Sequence, residues 1–418
     1  MKEFLFPSDF QRLDSFQDLE ACGEDSIFHF APSEVVEFPP LTEFGTPRSW
    51  SNPDFVDQRR GSVFSNGWAV LKVHDVYSFR KIFLAKRSGE IVLPFPQWRV
   101  GGLIAYYGDS KDEIFKRLRM NPLVNQMLAL CRSPLASTGS NKNRGTIVCD
   151  SVHGHWIFEE LLPVSIWEQL RFPYPVFAVG LKQYQRELLS RSEFPPTFID
   201  AVDEILYFDS IFLLVPFQPL GNLNPSARYG FNEGDIVAYN QVHMNWQSSG
   251  SMTLSFSRGI GQRSSMNAPT YERIFIVRDR RSIHSVCVNE DSVIRLAESH
   301  GFVVIDPSKL SGEQEAGIFY NAKIVMGTLG GGLENIIFCK PGTCVIAISG
   351  EDSWRITLSS IAAFGGLSLT RIRCTQFCSM DPMTQGRFSG YVADLSVIST
   401  AIKSTVNVCE SKSGYILR

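Results

Sequence analysis

Three stretches of this 418-residue chain carry residue types that could do chemistry. The first is Gly327-Thr328-Leu329-Gly330-Gly331-Gly332-Leu333-Glu334-Asn335. It lies at the carboxyl end of an apolar run and opens the next one, so it reads as a strand-to-helix turn. A helix start offers free backbone N–H groups and the positive end of a dipole, and glycine lets the backbone approach a phosphate. A tight structural turn is the competing reading. The turn is not the GxGxxG fingerprint and follows a third strand, which argues against a nicotinamide dinucleotide. The second stretch holds Arg278, Arg280 and Arg281, just after another strand. Arginine grips a diphosphate in a bidentate manner and offsets charge on a leaving group. A solvated loop is the alternative. The third is His153-Gly154-His155-Trp156, with Glu159 one helical turn beyond His155 and Asp150 just before it. A histidine there could act as a general base, and Glu159 could orient it. A core or capping histidine is the alternative, and a two-His metal site lacks a third ligand.

The elements that must position these residues follow from the apolar pattern. Arg273–Arg278, Phe302–Ile305, Lys323–Gly327 and Cys344–Ile348 read as strands. Between them, Asn289–His300, Ser311–Ala322 and Leu333–Cys339 read as helices. Gly301 sits where a left-handed C-cap belongs. Ser311-Gly312-Glu313-Gln314 reads as a capping box. The alternation predicts a doubly wound parallel sheet. Upstream, Gly145–Asp150 reads as a buried strand that runs into the His155 loop and a helix. Trp68–Val73, Lys81–Leu84, Pro175–Gly180 and Glu204–Val215 read as further strands, and residues 111–131 as a helix. Residues 219–268 are rich in Gly, Asn and Ser and read as a domain boundary or an active-site loop region.

Composition narrows the function classes. The chain has 40 Lys plus Arg against 43 Asp plus Glu, a formal charge of -3, and no long basic run, which argues against nucleic acid as partner. Hydrophobic residues make up 44%, enough to exclude a disordered chain. The 31 Phe are assigned to bulky cores. The N-terminus lacks the apolar region of a secretory signal, and no stretch reaches the ~18 apolar residues of a membrane span. Nine scattered cysteines without a CxxC pair fit free thiols in a reducing cytoplasm, with Cys374 and Cys378 the one close pair.

Together these stretches resemble glycosyltransferase family 61. The residues that carry the resemblance are Arg278, Asn289-Glu290, Gly301-Phe302, Glu313-Gln314, Phe319, Ala322, Gly327, Gly330, Gly332-Leu333, Asn335, Phe338 and Gly342, in order and in register. His155-Trp156, with Glu159 or Glu160 and Pro163, resembles the family's upstream stretch. The resemblance implies an α/β chain of GT-B type: two Rossmann-like domains with a central cleft, plus an irregular N-terminal segment. The expected layout is an irregular segment over 1–60 and an acceptor domain over 61–265. A nucleotide-sugar domain follows over 266–400, then a tail over 401–418 that packs back on the acceptor domain.

The implied activity is an inverting hexosyl- or pentosyltransferase reaction without metal or other cofactor, with a UDP-linked sugar as donor and a glycan as acceptor. A cytoplasmic bacterial enzyme of surface polysaccharide synthesis is expected, with peripheral membrane association through a lipid-linked acceptor. The catalytic candidates are His155, Glu159 and Asp150. The donor-binding candidates are Arg278, Arg281, Asn289, Glu313, Gln314, Gly330, Gly331, Gly332, Leu333 and Asn335. Two departures stand out. Leu329 occupies the motif's His position, and the family's Arg just before Asn-Glu is missing, with Arg281 or His284 as substitutes. They keep open a catalytically inactive member that binds a glycan or a partner.

Overall fold

A computed structural model describes residues 26–29, 34–37, 41–45, 62–65, 68–79, 83–86, 91–92, 126, 129, 144–149, 156–157, 160–169, 171–199, 205–216, 250–278, 286–350, 356–380 and 387–415. The strands in chain order are β1 (Ser26–His29), β2 (Glu34–Glu37), β3 (Leu41–Gly45), β4 (Ser62–Ser65), β5 (Trp68–Phe79), β6 (Phe83–Lys86) and β7 (Ile91–Val92). There follow β8 (Arg144–Cys149), β9 (Val176–Val179), β10 (Thr197–Ile199), β11 (Ile205–Pro216), β12 (Arg273–Ile276) and β13 (Val286–Cys287). The last are β14 (Val303–Ile305), β15 (Ile324–Thr328), β16 (Cys344–Gly350), β17 (Ser368–Cys374), β18 (Gln376–Met380) and β19 (Arg387–Tyr391). The helices are α1 (Leu161–Gln169), α2 (Gln183–Leu189), α3 (Gly250–Ser265), α4 (Glu290–Ser299), α5 (Gly312–Asn321), α6 (Ile356–Gly365) and α7 (Leu395–Tyr415). The chain divides into two units, one of residues 1–34, 65–152 and 159–246, the other of 35–64, 153–158 and 247–418.

The first unit is built on an eight-stranded sheet in the order β10-β9-β8-β11-β5-β6-β7, with β1 also on β5. The β10, β9, β8 and β11 neighbours run parallel, as βαβ connections demand. Beyond β11 the pairing turns antiparallel, through β5 to β6 and β7. The sheet is therefore mixed, with a Rossmann-like half and a meander half. Ile147, Cys149, Phe177, Val179, Phe208, Ile211 and Val73 form its core. Period-2 alternation in β5 and β11 sets the long register, because a one-residue slip would turn this core outward.

The second unit holds a six-stranded sheet, β14-β12-β15-β16-β17-β3, in which every pair is parallel. Counted from β12, its five C-terminal strands follow the order 2-1-3-4-5, one of the two common doubly wound arrangements. Every residue of β15 and β16 is buried, as expected for strands covered on both faces. Ile324, Met326, Ile346, Ile348 and Ile372 pack on Val293 and Ala297 of α4 and on Ile398, Ala401 and Ile402 of α7. Helix α3 packs with α5 and with α6, and all three pack with a 3-10 helix, Gly331–Phe338. Smaller sheets join β13, β19 and β18, and β2 with β4.

Several expectations match closely. Gly301 has a φ of +81. Its N–H donates to Glu298 O, and the Phe302 N–H donates to Ala297 O, which is a Schellman cap. Ser311 Oγ accepts from Gln314 N, and Gln314 Oε1 accepts from Ser311 N, so the capping box forms. Three stretches differ. Residues 1–60, read as irregular, contain the short strands β1, β2 and β3. Part of the loop-like 219–268 is the helix α3. Its glycines and serines are poor helix formers alone, but they admit close neighbours. A Cβ on Gly261 would lie 3.1 Å from Tyr320. Packing then outweighs propensity. The expected α-helix at Leu333–Cys339 is the 3-10 helix. The helix read over 111–131 lies outside the described residues except at 126 and 129.

Candidate functional site

In a 2-1-3-4-5 sheet the chain leaves β12 and β15 in opposite directions, which opens a crevice at their carboxyl ends. Arg278 follows β12, and the Gly-rich turn follows β15. The Arg278 guanidinium donates from Nη1 to the carbonyl of Leu329. Glu290, the first residue of α4, ties the two strand ends together. Its Oε1 accepts from the Arg278 N–H at 3.3 Å and from the Thr328 hydroxyl at 3.3 Å. A carboxylate at that position also suits the positive end of the α4 dipole.

The turn shows one close approach, at Gly327, and one ordinary contact, at Gly330. A Cβ on Gly327 would stand 3.0 Å from the Ile276 carbonyl oxygen, a tight fit that a larger residue would meet only with a shift of the paired strands β15 and β12. A Cβ on Gly330 would meet the Arg278 guanidinium at 3.5 Å. The 3-10 helix begins directly after, and its first internal bond is Leu333 N to Gly330 O at 3.0 Å. The amides of Gly331 and Gly332 precede that bond and have no partner within the helix.

A buried pair holds the turn from below. Asn335 is fully buried, and its Nδ2 donates to Gly332 O at 3.2 Å and to Glu315 Oε1 on α5. Glu315 is itself buried, and burial pushes its carboxyl up to about 8 against the pull of the Asn335 hydrogen bond. The group is mainly protonated at neutral pH, which avoids a buried charge.

The donor-site candidates separate accordingly. Arg278, Gly330, Gly331 and Gly332 meet at the strand ends. Leu333 is buried beneath them, its Cδ1 3.5 Å from the Cβ position of Gly327. Asn335 supports the turn instead of facing out of it. Asn289 clamps a distant backbone, donating to Ala393 O at 2.8 Å and accepting from Ala393 N at 2.9 Å. Glu313 accepts from Asn267 Nδ2 at 3.2 Å, and the Gln314 carbonyl is taken up by the capping box. Leu329, at the motif's His position, is buried. Arg281, His284 and the catalytic candidates His155, Glu159 and Asp150 lie outside the described residues.

Residue patterns did not mark Glu290, Thr328 or Glu315 as site residues. Glu290 stands in the Asn-Glu pair, and Glu315 shares an apolar stripe with Ile318 and Phe319, a helical spacing that signals burial. Near the upstream stretch, Glu160 is buried and its Oε2 accepts from the Cys149 N–H at 2.9 Å, at the end of β8. Among the described residues, no group of three or more His, Cys, Asp or Glu is placed to hold a metal ion. No helix there is long and apolar enough to cross a membrane.

The comparison with family models bears on this arrangement. Residues 153–346 match the model described as Glycosyltransferase 61. This segment is similar to the glycosyltransferase 61 family. It runs from the His155 stretch through the Arg278 corner and the Gly-rich turn to β16, and it implies glycosyltransferase activity with a nucleotide-sugar and an acceptor as substrates. The comparison with curated proteins returns no match.

Proposed function

We propose that the protein is an inverting, metal-independent glycosyltransferase. It moves a sugar from a nucleotide-sugar, UDP-linked in this reading, to a hydroxyl of a glycan acceptor in surface polysaccharide or glycoconjugate synthesis. The observation that carries this is the corner of Arg278 and the Gly330–Gly332 turn at the switch point of a parallel sheet. It lies inside the segment that matches the family.

The chemistry assigns a role to each group. His155 takes the proton of the acceptor hydroxyl, with Asp150 and Glu159 as alternatives. The oxygen attacks the anomeric carbon from the side away from the diphosphate. The new C–O bond forms as the bond to the phosphate oxygen breaks, and the diphosphate leaves with the electron pair. Arg278, Arg281 and the amides of the turn take up that charge. A GT-B pairing of an acceptor domain with a donor domain belongs to the same reading.

Mass-spectrometric detection of transfer, over a panel of nucleotide-sugars and glycans, tests it. Arg278→Ala is expected to lose roughly 100-fold or more in kcat/KM, with Arg278→Lys in between and both folded by circular dichroism. Unchanged turnover would remove Arg278 from the diphosphate. His155→Ala is expected to abolish transfer and leave donor affinity intact. A second reading, an inactive member that binds glycan, is favoured by the buried Leu329 at the motif's His position. Measured turnover with any donor excludes it.

A further inference from the structure

Strand β17 carries Arg371 and Arg373 two residues apart, hence on one face of the sheet. That face is opposite the one from which Ile372 and Cys374 pack into the α7 core. Both arginines are buried, with 2% and 6% of their surface exposed. Arg371 is well held. Its Nε donates to Ser349 Oγ at 3.1 Å and its Nη2 to Gly350 O at 3.3 Å. Its Nη1 lies 3.5 Å from Glu43 Oε1, on the β3 residue directly opposite in register. Arg373 sits between Ser349 of β16 and Gly45 of β3 in the ladder, and its Nε is buried without an acceptor among the described residues.

A guanidinium stays protonated in any protein environment, and a buried charge that lacks a counter-charge is costly. Arg371 has the Glu43 carboxylate beside it, whereas Arg373 has no ion-pair partner among the described residues, at the edge of a parallel sheet where ligands bind. β17 is the second neighbour of β15, which sets it about 10 Å along that edge from the Gly-rich turn. A nucleotide-sugar can span that distance.

We propose that Arg373, backed by Arg371, forms an oxyanion subsite that receives an anionic group of the substrate. The group is a donor phosphate or the carboxylate of an acidic sugar. The inference rests on the glycosyltransferase reading only for the source of the anion, since the buried arginine pair exists without it.

Thermal melting of the full chain, with inorganic pyrophosphate as probe, tests the subsite. Without ligand, Arg373→Met and Arg373→Gln are expected to melt at or above the wild-type temperature, because a buried unpaired charge is removed. Pyrophosphate at about 100-fold its Kd is expected to raise the wild-type midpoint by roughly 3–8 °C, and those of both variants far less. Ligand-free variants that melt several degrees lower would overturn the proposal, and so would equal pyrophosphate shifts in all three proteins. Calorimetry with UDP, UDP-glucose and UDP-glucuronate then identifies the source. A tenfold or greater loss for all three in Arg373→Gln assigns a phosphate, and a loss confined to UDP-glucuronate assigns the sugar carboxylate. An Arg373-dependent pyrophosphate shift without binding of any of the three would keep the subsite and sink the UDP-donor reading.

Discussion

Burial holds the Glu315 carboxyl at about 8, against an ordinary value of 4.5. Between those values the folded protein keeps a proton that the unfolded chain releases. Stability therefore falls as pH rises through that window, by up to about 1.4 kcal/mol per pH unit. Glu315→Gln keeps an acceptor for Asn335 and carries no charge. It is expected to flatten this slope and to gain stability at pH 8, as read from denaturant melts at pH 5, 6.5 and 8. Parallel slopes for both proteins would show that the carboxyl is not held protonated. Arg278 and the glycine turn were legible from residue type and spacing. Glu315 was harder to place, because an acid on a helix ordinarily faces water. The clamping role of Asn289 was out of reach, since its partner Ala393 lies 104 residues away in sequence.

The elements of the second unit were read well where the apolar period was strong, as in β12, α4, β14, α5, β15 and β16. Their caps, Gly301 and Ser311 with Gln314, are local devices that short sequence windows encode. Helix α3 escaped because its stability comes from what it touches. Arg258 Nε donates to Cys339 O at 3.0 Å, beyond the end of the 3-10 helix, and its Nη2 donates to Gly365 O at the end of α6. Gly317 on α5 allows the α3 contact. A Cβ there would lie 2.5 Å from Ala268 Cβ and 2.7 Å from Ser264 O. Gly317→Ala is therefore expected to cost about 1–3 kcal/mol, despite the better helix propensity of alanine. Equal or greater stability in urea melts would contradict this packing.

At the scale of the whole molecule, the parallel sheet of the second unit takes its outer strand from far upstream. β3 pairs with β17, and Gly45, with a φ of +94, would place a Cβ 2.1 Å from Arg373 O. The first 60 residues carry no local signal for this, because strand pairing across more than 300 positions is set by tertiary contacts. The cysteines form a second property of the whole chain. Cys149, Cys287, Cys339, Cys344, Cys374 and Cys409 are free and buried, and burial pushes Cys287 and Cys374 up to about 12. These six are expected to resist a thiol reagent at pH 8 until denaturant is added. Their prompt reaction in the native state, followed by peptide mapping, would contradict that packing.

The claim that joins these scales is that the Arg278 corner and the Gly-rich turn hold a nucleoside diphosphate. Titration calorimetry of the wild type and Arg278→Ala against UDP and GDP measures it directly. The account predicts that the wild type binds one of the two, and that the variant binds it at least tenfold more weakly. Equal affinity in both proteins, or no binding by the wild type, would contradict it.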